Sequence, residues 1–148
     1  MQQIVYAIQF KGQAAPGESA GTLQVRGVAA SGSITTVINS GGLTGGFDPA
    51  ASVPAEFESE VTLTSETTFT EKGSITFGNG AHKLSFSSMG EGWLGASPAP
   101  SVKQGTITWR VDGGEGQLEN AGGVITSNFT LSDSGEVNDY HLGILYIK

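Results

Sequence analysis

Only two histidines occur in this 148-residue chain, and one of them, His141, stands two residues after Asp139. On an extended strand, residues i and i+2 project from the same face, ~7 Å apart along the backbone. A carboxylate beside an imidazole can hold it in one tautomer and make it a better base, so Asp139 and His141 form a candidate catalytic dyad for proton transfer. The same pair could equally sit at a wet strand end, because it closely follows the Ser134-Gly135 turn. His82 comes just after Asn79-Gly80 and reads as more exposed. No H-x-H or H-x-x-x-H spacing is present, so no metal site is expected.

Other nucleophiles and cofactor motifs are missing or fail in context. The chain has no cysteine, which removes disulfides, thiolate ligands and a cysteine nucleophile. No serine stands in a G-x-S-x-G elbow, and no lysine lies in an apolar run that would favour its neutral form. Gly90-Glu-Gly-Trp-Leu-Gly95 matches G-x-G-x-x-G, but a dinucleotide fingerprint must open a helix, and Pro98 and Pro100 forbid one there. That segment reads as a loop carrying Trp93, and no cofactor is expected. Glu56, Glu58 and Glu60 alternate with apolar residues; a solvated outer face competes with an acid/base or metal reading and is favoured by the apolar opposite face. Tyr6, Phe86, Trp93 and Trp109 are the aromatics best able to line an internal cavity, core packing being the plainer alternative. Arg110 either faces solvent or anchors a carboxylate at the cavity mouth.

The elements that must position these residues are strands. Gly-x-Ile-Thr-x occurs four times, at Gly32, Gly73, Gly105 and Gly123, a turn-tolerant residue followed by strand-favouring β-branched ones. In Gln2–Lys11, Ile4, Tyr6, Ile8 and Phe10 share one face. Gly12–Gly21 reads as a loop, Thr22–Ala30 and Ser33–Asn39 as strands joined at Ser31-Gly32, and Ser40–Pro54 as the longest irregular stretch. Ala55–Leu63 alternates again. Thr67–Phe77 and His82–Met89 flank Asn79-Gly80, a strong hairpin signal. Gly105–Val111 puts Ile107, Trp109 and Val111 on one face. Asp112–Gly116 turns, Gln117–Ala121 runs briefly, and Val124–Leu131 follows. The closing strand, Glu136–Lys148, is apolar on both faces near its end, and its outer face calls for cover, most simply a second subunit. About eight antiparallel strands without crossover helices predict an all-β fold in one domain, residues 1–148. A closed barrel is favoured over a two-sheet sandwich because closure uses the many strand glycines.

Composition sets the outer limits. Glycine supplies 23 residues, charged residues only 14%, and the net charge is −7. Such acidity, without a basic stripe, argues against nucleic acid. Nothing approaches the roughly 18 apolar residues of a membrane helix, and Met1–Tyr6 has no basic leader region, so the expectation is a cytoplasmic protein with no membrane partner.

Gly113-Gly-Glu-Gly-Gln-Leu-Glu-Asn-Ala-Gly-Gly123, followed by a strand, resembles the Gly-Gly-Ser/Thr-Gly-x-Phe/Leu-x-Gly-Ala-x-Gly segment of the allene oxide cyclase-like and dirigent-like (calycin-like) barrels. It departs at Glu115, where a hydroxyl residue is usual, and at Asn120, where glycine is. The resemblance implies an eight-stranded barrel, often a homodimer or homotrimer, with an apolar lumen that steers a reactive intermediate; it brings no catalytic residues with it. The expected function is binding of an apolar small molecule in the lumen, with cofactor-independent cyclase or isomerase chemistry. A lipocalin-like carrier and a structural or carbohydrate-binding β module are the alternatives.

Overall fold

A computed structural model describes all 148 residues, in eleven strands: β1 (Gln2–Pro16), β2 (Thr22–Ala29), β3 (Gly32–Asn39), β4 (Gly42–Pro49), β5 (Ala55–Leu63), β6 (Thr68–Phe77), β7 (His82–Ser88), β8 (Gly92–Ala96), β9 (Val102–Glu115), β10 (Gly122–Ser132) and β11 (Glu136–Ile147). A single 3-10 turn, Gly116–Leu118, separates β9 from β10. Eight strands pair side by side in the order β10, β11, β1, β2, β5, β6, β7, β9, and β10 pairs back onto β9. Every pairing is antiparallel and the ring closes. The barrel prevails over the sandwich, and closure leaves no long wall strand with an unpaired edge. Short β8 follows the line of β7 and bridges β6 and β9.

Period-two alternation determines what points inward. In β5, Ala55, Phe57, Ser59 and Val61 are buried while Glu56, Glu58 and Glu60 are exposed, so the solvated reading of those glutamates holds. At mid-height the lumen is solid. Phe57 stacks on Phe86 and Trp109, Phe10 tilts against Phe57, and the His141 ring packs edge-on to Phe57 and Trp109. Each fully buried side chain of this size contributes roughly 1.5–3 kcal/mol of transfer free energy. Leu118 and Ala121, both buried, lie toward the same end as Tyr6, whose ring meets Phe77 edge-on, and a groove of about 340 Å³ runs there between Tyr6, Phe77, Leu118 and Leu145. The opposite end is a mouth.

Several boundaries differ from expectation, each for a tertiary reason. Strand β1 continues through Gly12 to Pro16, where it leaves β11 and pairs with β2. A Cβ at Gly12 would run into the Arg26 carbonyl oxygen, so glycine is what lets the chain turn this corner of the barrel. Strands β2 and β3 do not pair: β2 pairs with β5, and the chain leaves the wall at Ala30-Ser31. Ser40–Pro54 is not one irregular stretch, because Gly42–Pro49 returns along β3 and forms a two-stranded arm. Gly92–Ala96 is strand β8, not loop. Strand β9 runs on to Glu115, past the expected turn at Asp112–Gly116, with a register shift opposite Leu84 and Phe86. Of the four Gly-x-Ile-Thr copies, those at Gly73 and Gly105 stand inside β6 and β9 rather than at their openings. Asn120 takes a left-handed φ of 59°, a conformation that glycine adopts freely and asparagine tolerates.

Candidate functional site

Strands β1, β2, β5, β6, β8, β10 and β11 all send side chains into a cavity of about 50 Å³ at the mouth. Ten of its thirteen lining residues are hydrophobic, among them Leu23, Val61, Phe69, Leu94, Phe129 and Val137. The three polar exceptions, Glu71, Ser127 and Asp139, lie together in sequence register terms on strands that face the lumen, and all three are buried. An apolar cup with a few convergent polar groups is the usual form of a small-molecule site. This one is far smaller than the ~300 Å³ of a drug-sized pocket, because the aromatic layer fills the middle of the barrel.

Glu71 belongs to the inward series Phe69, Glu71, Ile75 of β6. Ser59 Oγ donates to its Oε1 at 2.5 Å, Trp109 Nε1 donates to its Oε2 at 3.1 Å, and its own backbone N–H donates to Ser88 Oγ at 3.1 Å. Burial pushes the Glu71 carboxyl up to about 8; the hydrogen bonds from Ser59 and then Trp109 oppose that shift, and the Asp139 charge adds to it. At neutral pH Glu71 therefore carries a proton and can donate it. While Glu71 holds the proton on Oε1 it donates to Ser59 Oγ, and once the proton has left, Ser59 donates to the carboxylate, since a hydroxyl both gives and accepts.

Asp139 accepts a hydrogen bond from Ser127 Oγ at 2.6 Å through Oδ1. Its Oδ2 lies 2.9 Å from His141 Nε2. That approach is short but off the line of a ring N–H, so neither His141 nitrogen has a directed hydrogen bond. The rings of Phe10, Phe57 and Trp109 surround the imidazole, which lies beneath the floor and does not line the cavity. Two carboxyl groups thus face one apolar cup: Glu71, held toward its neutral form chiefly by burial, and Asp139, which accepts from Ser127.

The expected site residues divide into three groups. Asp139 and His141 do meet, inside the lumen rather than at a wet strand end. Phe86 and Trp109 are buried in the aromatic layer, with Trp109 touching the floor through Glu71. Tyr6 lies inward but away from the mouth cup, beside the groove at the opposite end, its hydroxyl buried without a partner and its ionisation pushed up by burial. Trp93 is not internal: it is 43% exposed on the outer face of β8. Arg110 is also outside, paired with Asp112 at 2.7 Å, and anchors nothing at the mouth. The Ser87 hydroxyl and then Arg110 hold the Asp112 carboxyl below its ordinary range. His82 accepts a hydrogen bond from the Gln117 N–H through Nδ1 at 3.0 Å, and both residues border the groove at the end opposite the mouth cup.

Sequence reasoning passed over Glu71, Ser59 and Ser127. Each occupies an inward position between apolar neighbours: Glu71 after Phe69, Ser59 between Phe57 and Val61, Ser127 between Ile125 and Phe129. A polar residue at an inward phase was the signal available. No group of three or more acidic or histidine side chains is arranged to hold a metal ion. No helix is long and apolar enough to cross a membrane. Compared with known proteins, the chain matches no family model, no curated protein and no solved structure.

Proposed function

We propose that the mouth cup receives the apolar end of a small molecule and presents it to Glu71 and Asp139 for cofactor-independent proton transfer, as in an isomerisation or a cyclisation. The observation that carries this reading is a pair of buried carboxyl groups, Glu71 and Asp139, on the floor of an otherwise apolar cavity, with burial holding Glu71 toward its neutral form. Glu71 donates a proton to the carbonyl oxygen of the bound molecule as Asp139 removes one from the adjacent carbon; Asp139 then returns its proton to the far carbon of the dienol, Glu71 recovers its own from the enol hydroxyl, and Ser127 orients Asp139. Such acid–base pairs contribute roughly 10²–10⁴-fold to rate. The arrangement of His141 beneath Asp139 supports a positioning role for it and not contact with the ligand.

The test uses 3-cyclohexenone, whose conversion to the conjugated 2-cyclohexenone is followed by ultraviolet absorbance. Wild-type protein should accelerate it, and Glu71→Gln and Asp139→Asn should each lose at least about 10²-fold. Binding of an anilinonaphthalene dye at the mouth should survive both substitutions. Dye binding without any acceleration would leave the carrier reading in place. Absence of both would remove the site.

The arm favours a second copy of the chain as partner. Ile34, Ile38, Leu43 and Phe47 fall on one of its faces, with Ile38 80% and Leu43 74% exposed. A lone two-stranded hairpin is marginally stable in water, and packing two such faces together would supply the missing layer. Sedimentation velocity should show a concentration-dependent dimer that Ile38→Thr with Leu43→Thr abolishes.

A further inference from the structure

On the outside of the barrel, four neighbouring strands bring Trp93, Thr106, Asn128 and Tyr140 into a single row. Trp93 pairs with Thr106, Thr106 with Asn128, and Asn128 with Tyr140. Gln104 and Thr130, paired with each other, stand one step further along the same face. Together with Gly105 and Phe129 these side chains line a groove of about 330 Å³, separate from the mouth cup.

The two aromatic ends of the row are held in place. The Trp93 ring lies over Gly95, where a Cβ would run into it, so one ring face is packed and the side chain remains 43% exposed. Tyr140 is 40% exposed, and its hydroxyl accepts a hydrogen bond from Gln9 Nε2 at 3.0 Å. Between them lie two amides, Gln104 and Asn128, and two hydroxyls, Thr106 and Thr130, all neutral donors and acceptors.

We propose that this row is a binding platform for a neutral oligosaccharide lying across the strands. The negative face of an aromatic ring attracts the polarised C–H face of a sugar. Side-chain amides and hydroxyls match the sugar's hydroxyl groups, which both donate and accept. No charged side chain lines the groove, so an anionic or cationic ligand would lose its hydration without a counter-charge. A net charge of −7 opposes a nucleic-acid strand stacking on the same rings. A purely apolar ligand would leave the polar comb unpaired. Trp93 and Tyr140 stand three strand spacings apart, ~14 Å, which suits a chain of about three sugar units better than a single ring.

The experiment titrates the full-length protein with cellohexaose, laminarihexaose and xylohexaose, with glucose and polygalacturonate alongside. Isothermal titration calorimetry gives the affinity of every variant, and in the wild type the shielding of Trp93 from acrylamide locates the ligand, Trp109 being buried. One neutral hexaose should bind with Kd below about 1 mM, at least tenfold tighter than glucose, and polygalacturonate should not bind. Trp93→Ala should weaken binding at least tenfold and Asn128→Ala several-fold, both with unchanged thermal stability. Glu71→Gln should leave saccharide binding untouched, which keeps this site independent of the mouth. No binding of any hexaose up to 10 mM, or equal binding by Trp93→Ala, overturns the proposal. So does a change of association state in Trp93→Ala without any saccharide effect, which would make the face a contact between copies.

Discussion

Wall strand β5 and arm strand β3 both carry apolar residues two positions apart, yet in β5 Ala55, Phe57, Ser59 and Val61 are buried and in β3 no residue is. In β5, Phe57 meets Phe10, Phe86 and Trp109 across the lumen. In β3, Ile34 and Ile38 share one face with Thr36 between them, and that face, completed by Phe47 and Leu43 of β4, leaves Ile38 and Leu43 largely exposed. The contrast teaches that alternation fixes which face would be buried, whereas burial itself requires a second layer. Closure supplies that layer for the eight wall strands, and the arm stands outside it.

The comparison breaks most sharply at the aromatic layer. Phe57→Ala should cost about 3–5 kcal/mol in denaturant unfolding, because the surrounding rings cannot collapse into the vacated space. A loss below 1 kcal/mol would mean that the middle of the barrel is loosely filled.

Second in size is a pH effect confined to the wall. From its ordinary 4.5 up to about 8, Glu71 keeps a proton in the native state that the unfolded chain has released. Stability should therefore fall as pH rises through that window, by on the order of 5 kcal/mol, and be fully present only below it. Glu71→Gln should flatten the slope, and deletion of Ser31–Ala50 should leave it as it is. An arm deletion that removed the slope would show that wall and arm are energetically coupled.

Glycines sharpen the contrast at smaller scale. A Cβ at Gly73 in β6 would strike the Glu58 carbonyl oxygen, while one at Gly46 in the arm would meet nothing. Gly73→Ala should cost about 1–3 kcal/mol and Gly46→Ala nothing measurable, read as midpoint shifts in guanidinium. The smallest effect belongs to the arm's own apolar face. Ile38→Thr with Leu43→Thr should move monomer stability by less than about 0.5 kcal/mol, measured at a dilution where chains do not associate.

Much of the wall was legible before any coordinates, because a strand with one face in a core must alternate. Ile8 and Phe10, Phe57 and Val61, and Ile107, Trp109 and Val111 all point inward as their spacing requires. The Asn79-Gly80 turn is where it was expected, with φ of 56° and 89°. The site was less legible. Asp139 and His141 stood out as neighbours on one strand, but Glu71 lies on another strand 68 positions earlier and only the closed barrel brings its carboxyl to the same cavity. Trp93 was misplaced because Gly92 and Gly95 read as loop; pairing with Thr68 and Thr106 makes a strand of that segment and turns its tryptophan outward.

By itself, the order of residues determined the strands, their inward faces and most of their turns, since these depend on neighbours one or two positions away. Which strands pair, where the lumen stays open, and which carboxyl keeps its proton were decided only when the sheet closed. Those properties depend on distance through space and on exclusion of water, and neither is set by local sequence.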